Sequence, residues 1–121
     1  MQESGENYLE TILVLKNEKR NVRSIDVAHR LEFSKPSVSR AMGILKENGL
    51  ITIDQSGWIE FTPKGREQAE SIYERHRLIT QFLMDTLGVD AKTADQDACR
   101  IEHVISEQSF EKIKKLSEKK H

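Results

Sequence analysis

Between Thr62-Pro63 and Gly88 the chain carries one long helical pattern that a protein of 121 residues cannot cover from its own surface. Thr62 followed by Pro63 is a helix start, because a proline in the first turn lacks only an N–H that would have no intrahelical acceptor. From there Ala69, Ile72, Tyr73, His76, Ile79, Leu83 and Leu87 recur at three- and four-residue steps, so they lie along one side. An apolar side of that length on so short a chain calls for a partner, and a homodimer is the expectation.

Upstream, the punctuation is that of short helices. Leu9, Ile12, Leu13 and Leu15 give an amphipathic helix over Glu6–Asn17, which ends in the polar KNEKRN. Ser24 is expected to cap a short helix with Ile25, Ala28 and Leu31 inward, and Asp26 suits the positive first turn. Ser34 is expected to cap the next, with Pro36 in its first turn, Val38, Ala41, Met42 and Leu45 inward, and Asn48-Gly49 closing it. Two short helices joined by a tight turn make a helix-turn-helix. LITID and WIEF, separated by Gln55, Ser56 and Gly57, then read as a two-stranded ribbon, which makes the whole a winged helix.

After Gly88, a short helix is expected over Val89–Thr93 and another over Asp95–Ser106. A last amphipathic stretch carries Phe110, Ile113 and Leu116 into a lysine-rich tail expected to fray. The predicted class is mainly α: a winged helix-turn-helix DNA-binding domain over residues 1–62, followed by an all-helical metal-binding and dimerisation domain over 63–121.

Composition excludes several alternatives. No run approaches the roughly 20 apolar residues of a membrane span, and MQESGENYLE lacks the basic and apolar regions of a signal peptide, so a cytoplasmic location without membrane association is expected. The formal net charge of -1 is unevenly spread: residues 63–110 carry six Lys/Arg against nine Asp/Glu, and residues 111–121 five lysines against two glutamates. Val22 to Phe61 is balanced, so a nucleic-acid footprint there depends on local arrangement.

Ser34, Lys35, Pro36, Ser37, Ser39 and Arg40 gather at the start of the second short helix. A recognition helix enters the major groove by its N-terminal part, where hydroxyls and amides reach phosphates or base edges and Arg bridges purine acceptors. The competing reading is a solvated, serine-rich helix start; the wing that follows favours DNA.

Cys99, Glu102 and His103 stand at i, i+3 and i+4, on one helical face, with His76 on the long helix and Asn7 and Glu10 on the first. Thiolate, carboxylate and imidazole suit a borderline transition ion better than calcium or magnesium, which prefer oxygen shells. Taken singly, His76 can equally be a buried core histidine, Cys99 a small hydrophobe, and Glu102-His103 a solvated pair.

The motifs ENYLETI at 6–12, SKPSVSRAM at 34–42, TPKG at 62–65, RHRL at 75–78 and above all CRIEHVIS at 99–106 resemble the diphtheria-toxin-repressor family of iron- and manganese-dependent bacterial repressors. The resemblance runs from about Glu6 to Leu116 and is to a short form without the SH3-like domain of longer relatives. It implies a homodimer that binds palindromic double-stranded operator DNA when Fe(II) or Mn(II) is present and releases it when metal is scarce. It also implies metal ligation by His76, Cys99, Glu102 and His103, with Glu10 and Asn7 in support. Co(II), Ni(II) or Zn(II) are expected to substitute in vitro. Asn7 falls where relatives place methionine or aspartate, and Thr80 and Asp95 fall where iron-type members place a glutamate and a histidine of a second site. Cys99 resembles the iron type and Glu10 the manganese type.

The function expected is therefore a metal-dependent transcriptional repressor controlling metal homeostasis, with no small-molecule substrate. The alternative is a winged-helix regulator responding to a small molecule or to cysteine oxidation. A metalloenzyme is disfavoured, since Glu102-His103 lacks the two-histidine HExxH arrangement.

Overall fold

The computed structural model describes residues 3–120. Six helices and one two-stranded sheet follow in the order α1 (Glu3–Glu18), α2 (Ser24–Leu31), α3 (Lys35–Glu47), β1 (Ile51–Ile53), β2 (Ile59–Phe61), α4 (Pro63–Asp85), α5 (Ala91–Ile101) and α6 (Glu107–Lys120). Contacts divide the chain into Met1–Glu70 and Ser71–His121, a boundary that falls inside α4.

In the first unit, Leu9, Ile12 and Leu13 of α1, Val27 and Ala28 of α2, and Val38, Met42 and Leu45 of α3 are buried together with Leu50, Ile51 and Ile59 of the wing. Ser34 caps α3 as expected, its Oγ accepting the Ser37 N–H at 3.3 Å, and Pro36 sits in the first turn. The start of α2 differs from expectation. Arg23, not Ser24, holds the cap position, and the Asp26 carboxylate reaches back to accept the Arg23 N–H at 2.8 Å. Burial alone pushes the Asp26 carboxyl up, but hydrogen bonds from the Lys19 ammonium and that backbone N–H more than reverse it, so the group stays below its usual range.

The wing strands pair antiparallel with Ile51 opposite Phe61 and Ile53 opposite Ile59. Asp54 makes the turn: its Oδ1 accepts the N–H groups of Ser56 at 2.8 Å and Trp58 at 3.0 Å, and Gly57 takes the positive φ of 86°. The return strand is tied to the helices by the Ile59 N–H donating to Val22 O at 2.8 Å. Trp58, just ahead of that strand, lies under the Arg23 guanidinium at 4.0 Å.

Thr62 starts α4 by accepting the Gly65 N–H at 3.0 Å while donating its own hydroxyl to Gly49 O at 2.6 Å. Gly65 passes so close to the wing that a Cβ there would fall 1.8 Å from Leu50 O. Thr62-Pro63-Lys64-Gly65 is thus a packing motif as well as a helix start.

In the second unit, Ile79 and Leu83 of α4, Ala94 and Ala98 of α5, and Phe110 of α6 form the core, with Leu78, Phe82, Ile101, Ile105 and Ile113 around it. Gly88 ends the α4 segment at φ 74°, with the Val89 N–H returning to Leu83 O at 2.9 Å. The two helices expected over Val89–Thr93 and Asp95–Ser106 are one helix that ends earlier. Asp90 caps it, accepting the Thr93 N–H at 2.8 Å, and it closes at Ile101. The lysine-rich tail, expected to fray, continues α6 as far as Lys120, and His121 lies outside the described residues. Among the described residues, no helix is long and apolar enough to cross a membrane.

Candidate metal centre and nucleic-acid interface

The second unit brings Cys99, Glu102 and His103 together: one ligand atom from each lies within 4.8 Å of the others. They are not all on one helix. Cys99 is in α5, Glu102 is its C-terminal cap with the N–H still bonded to Ala98 O at 2.9 Å, and His103 lies in the turn beyond. Because Glu102 keeps right-handed helical angles, the i, i+3, i+4 relationship survives the end of the helix.

Glu102 is the centre of the arrangement, with only 1% of its surface exposed. Its Oε2 lies 2.8 Å from His76 Nδ1 on α4, and its Oε1 lies 3.2 Å from His103 Nε2. The other face of His76 meets Asp95, with Nε2 to Oδ1 at 2.7 Å. Asp95 stands one turn before Cys99, so the two share a side of α5, and the capping Glu102 continues that side. The carboxylate of Asp95 is largely exposed, beside an open hollow of about 430 Å³ that His76 and Thr80 also line. The Thr80 hydroxyl is turned onto the helix itself, donating to His76 O at 2.7 Å.

Arg75 fixes the turn after α5. Its Nη1 donates to Glu102 O at 3.4 Å, its other arm pairs with Glu107, and its guanidinium lies 5.1 Å from the Phe110 ring centroid. In the sequence Arg75 stands out only as part of RHRL; a cation directly before the candidate ligand His76 is the signal that could have found it.

A thiol and two imidazoles, each only partly exposed, gathered around one fully buried carboxylate fit a borderline transition ion. An ordinary core would not bury Glu102 between two histidines, since each desolvated ionisable group needs compensation. In the first unit, Glu10 is buried on α1 and Asn7 is half-buried one turn earlier. The Asn7 backbone oxygen accepts the Thr11 hydroxyl at 2.8 Å.

All six expected DNA-facing residues, Ser34, Lys35, Pro36, Ser37, Ser39 and Arg40, are exposed at the start of α3, while Val38 among them is buried. Ion pairing sorts the cations of this unit. Lys16 pairs with Glu60, Lys19 with Asp26, Arg30 with Glu18 and Arg66 with Glu70. Arg20, Arg23, Lys35, Arg40, Lys46 and Lys64 have no carboxylate partner among the described residues. Four of these, Arg23, Lys35, Arg40 and Lys46, lie in the segment of balanced composition, and cations left without a carboxylate are the ones a phosphate backbone can pair with.

A winged helix followed by a helical unit with a mixed-donor cluster has the parts of a DNA-binding regulator with a candidate cation site. The chain belongs to the iron-dependent repressor family: the family's N-terminal DNA-binding domain matches residues 1–57, and its metal-binding and dimerisation domain matches residues 62–120. An uncharacterised HTH-type transcriptional regulator of Methanocaldococcus jannaschii is 34% identical over 120 residues, covering 98% of this chain and 96% of its own. The diphtheria toxin repressor of Corynebacterium diphtheriae is 32% identical over 114 residues, 94% of this chain but 50% of that protein. The solved structure of the manganese regulator SloR superposes with a TM-score of 0.82 at 30% identity, over 94% of this chain and 53% of that one. The chain thus spans about half the length of those two characterised relatives.

Proposed function

We propose that this chain is a metal-activated transcriptional repressor, a homodimer that binds palindromic operator DNA when Fe(II) or Mn(II) is held by His76, Cys99, Glu102 and His103. Glu10 and Asn7 are proposed as further ligands on the family resemblance alone. The reading rests above all on Glu102, a buried carboxylate with an imidazole on either side and a thiol within reach.

The bound cation supplies positive charge and fixed coordination, and no bond-making chemistry. The chain's own residues do the rest. Arg75 and Phe110 hold the turn that carries Glu102 and His103, and Asp95 orients His76 through its Nε2. The exposed start of α3 and the unpaired cations around it meet DNA in the cytoplasm. Metal must bind the DNA-competent form more tightly than the free form, and DNA must then tighten metal by the same factor.

The test is an anaerobic titration of the full chain with Fe(II) or Mn(II) against a duplex library, read as affinity and stoichiometry together. Metal-dependent tightening of DNA binding is expected. Identical DNA affinity in chelator and in metal overturns the reading, and affinity that follows Cys99 oxidation instead selects the redox-responsive alternative.

A further inference from the structure

The outward face of α3 is not that of a helix adapted to water alone. Spacing puts Pro36, Arg40, Gly43, Ile44 and Glu47 on the side opposite the buried Val38, Met42 and Leu45. Ile44 is 52% exposed. Gly43 sits beside it in the helix interior, where glycine is the least favourable residue after proline. Its φ is not positive, and a Cβ placed on it would meet nothing within 4 Å. Among the described residues, then, no contact asks for glycine there, and the isoleucine is left 52% uncovered.

Both features make sense against one surface. In the major groove, the thymine C5-methyl is the apolar mark that separates T·A from the other pairs, and an aliphatic side chain reads it. A neighbouring glycine lets backbone and groove wall approach where any side chain would hold them apart. Arg40, one turn before Ile44 and exposed, stays available for a guanine edge or a phosphate.

Resting on the DNA-binding reading, we propose that Ile44 is a specificity residue that packs on a thymine methyl in each operator half-site, and that Gly43 is the clearance that lets it do so.

The experiment uses the full chain with Mn(II) and the duplex it selects from a random library. Each dT is replaced in turn by dU, which removes only the methyl. Wild type is expected to lose about fourfold in affinity at one position per half-site, the factor that burying one methyl-sized group supplies. In Ile44→Ala the same replacement should change affinity less than twofold, with the circular dichroism unchanged. Gly43→Ala should melt at a higher temperature than wild type yet bind the duplex severalfold more weakly, a split that a purely structural role does not produce. A flat dU scan in wild type, an undiminished dU effect in Ile44→Ala, or wild-type affinity in Gly43→Ala overturns the proposal while leaving the repressor reading standing. If no duplex is selected at all, the DNA-binding reading falls and this inference falls with it.

Discussion

Glu102 Oε2 lies 2.8 Å from His76 Nδ1, so a fully buried carboxylate at the end of α5 is joined to a partly exposed imidazole in the middle of α4. The same carboxylate faces His103 with its other oxygen. A metal held here would take the place of these contacts, with His76, Glu102 and His103 already gathered before it binds.

Glu102→Gln keeps the volume but removes the negative charge and gives one terminal position a donor in place of an acceptor. It is expected to weaken Mn(II) or Fe(II) binding by at least about 100-fold, the upper end of what losing even an outer partner costs. Isothermal titration checks this, and size-exclusion chromatography should show the oligomer unchanged. A variant that dissociates would assign Glu102 a structural role instead.

Metal should stabilise the fold by mass action. At a free concentration about 100 times its Kd, the gain is about 2.7 kcal/mol, or roughly 10 °C in Tm for a domain of this size. Because thiol and imidazole donors bind metal only when deprotonated, the shift should shrink on acidification. Differential scanning with and without Mn(II), repeated at falling pH, checks both parts. A shift that grows on acidification would point to a different donor set.

The elements that local chemistry specifies are legible in the residues themselves. Ser34-Lys35-Pro36 and Asn48-Gly49 bracket α3 because a hydroxyl cap, a donor-free first turn and a left-handed glycine act within a few residues of themselves. The α2 start is harder to read because its cap is made from inside the helix, by Asp26, at a position where Ser24 looks the better candidate. The α5 boundaries are obscured for a similar reason. Asp90 supplies the cap, and Asp95, which resembles another helix start, is turned toward His76 across 19 residues of sequence. Cys99, Glu102 and His103 can be grouped from spacing, but their meeting with His76 is a tertiary fact that periodicity does not encode.

Gly65→Ala tests the junction of the wing with α4. The added methyl would fall 1.8 Å from Leu50 O, a carbonyl that also accepts the Thr62 N–H at 3.1 Å, so backbone must move. Overpacking of this kind costs about 1–3 kcal/mol. A Tm lowered by several degrees in the apo-protein is expected, against the rise that Gly→Ala brings at an open helical position such as Gly43. Equal Tm changes at the two positions would show that the wing yields without cost.

Asp90, at the opposite end of α5 from the candidate ligands Cys99 and Glu102, gives the fold an acid-sensitive element. Its carboxyl is held below its usual range, first by the Thr93 hydroxyl and then by the Thr93 N–H, both of which favour the ionised cap of α5. A carboxyl whose pKa is lower in the folded than in the unfolded chain stabilises the fold fully above the unfolded value, about 3.9, and loses that contribution as the pH falls through the folded value. Asp90→Ala should therefore melt below wild type at pH 7, with the gap closing as the pH drops below about 4, and Asp90→Asn, which keeps an acceptor, should lose less. Thermal melts of the metal-free chain from pH 7 to 3 decide it: a gap that stays constant across that range would mean that the cap acts by shape and not by charge.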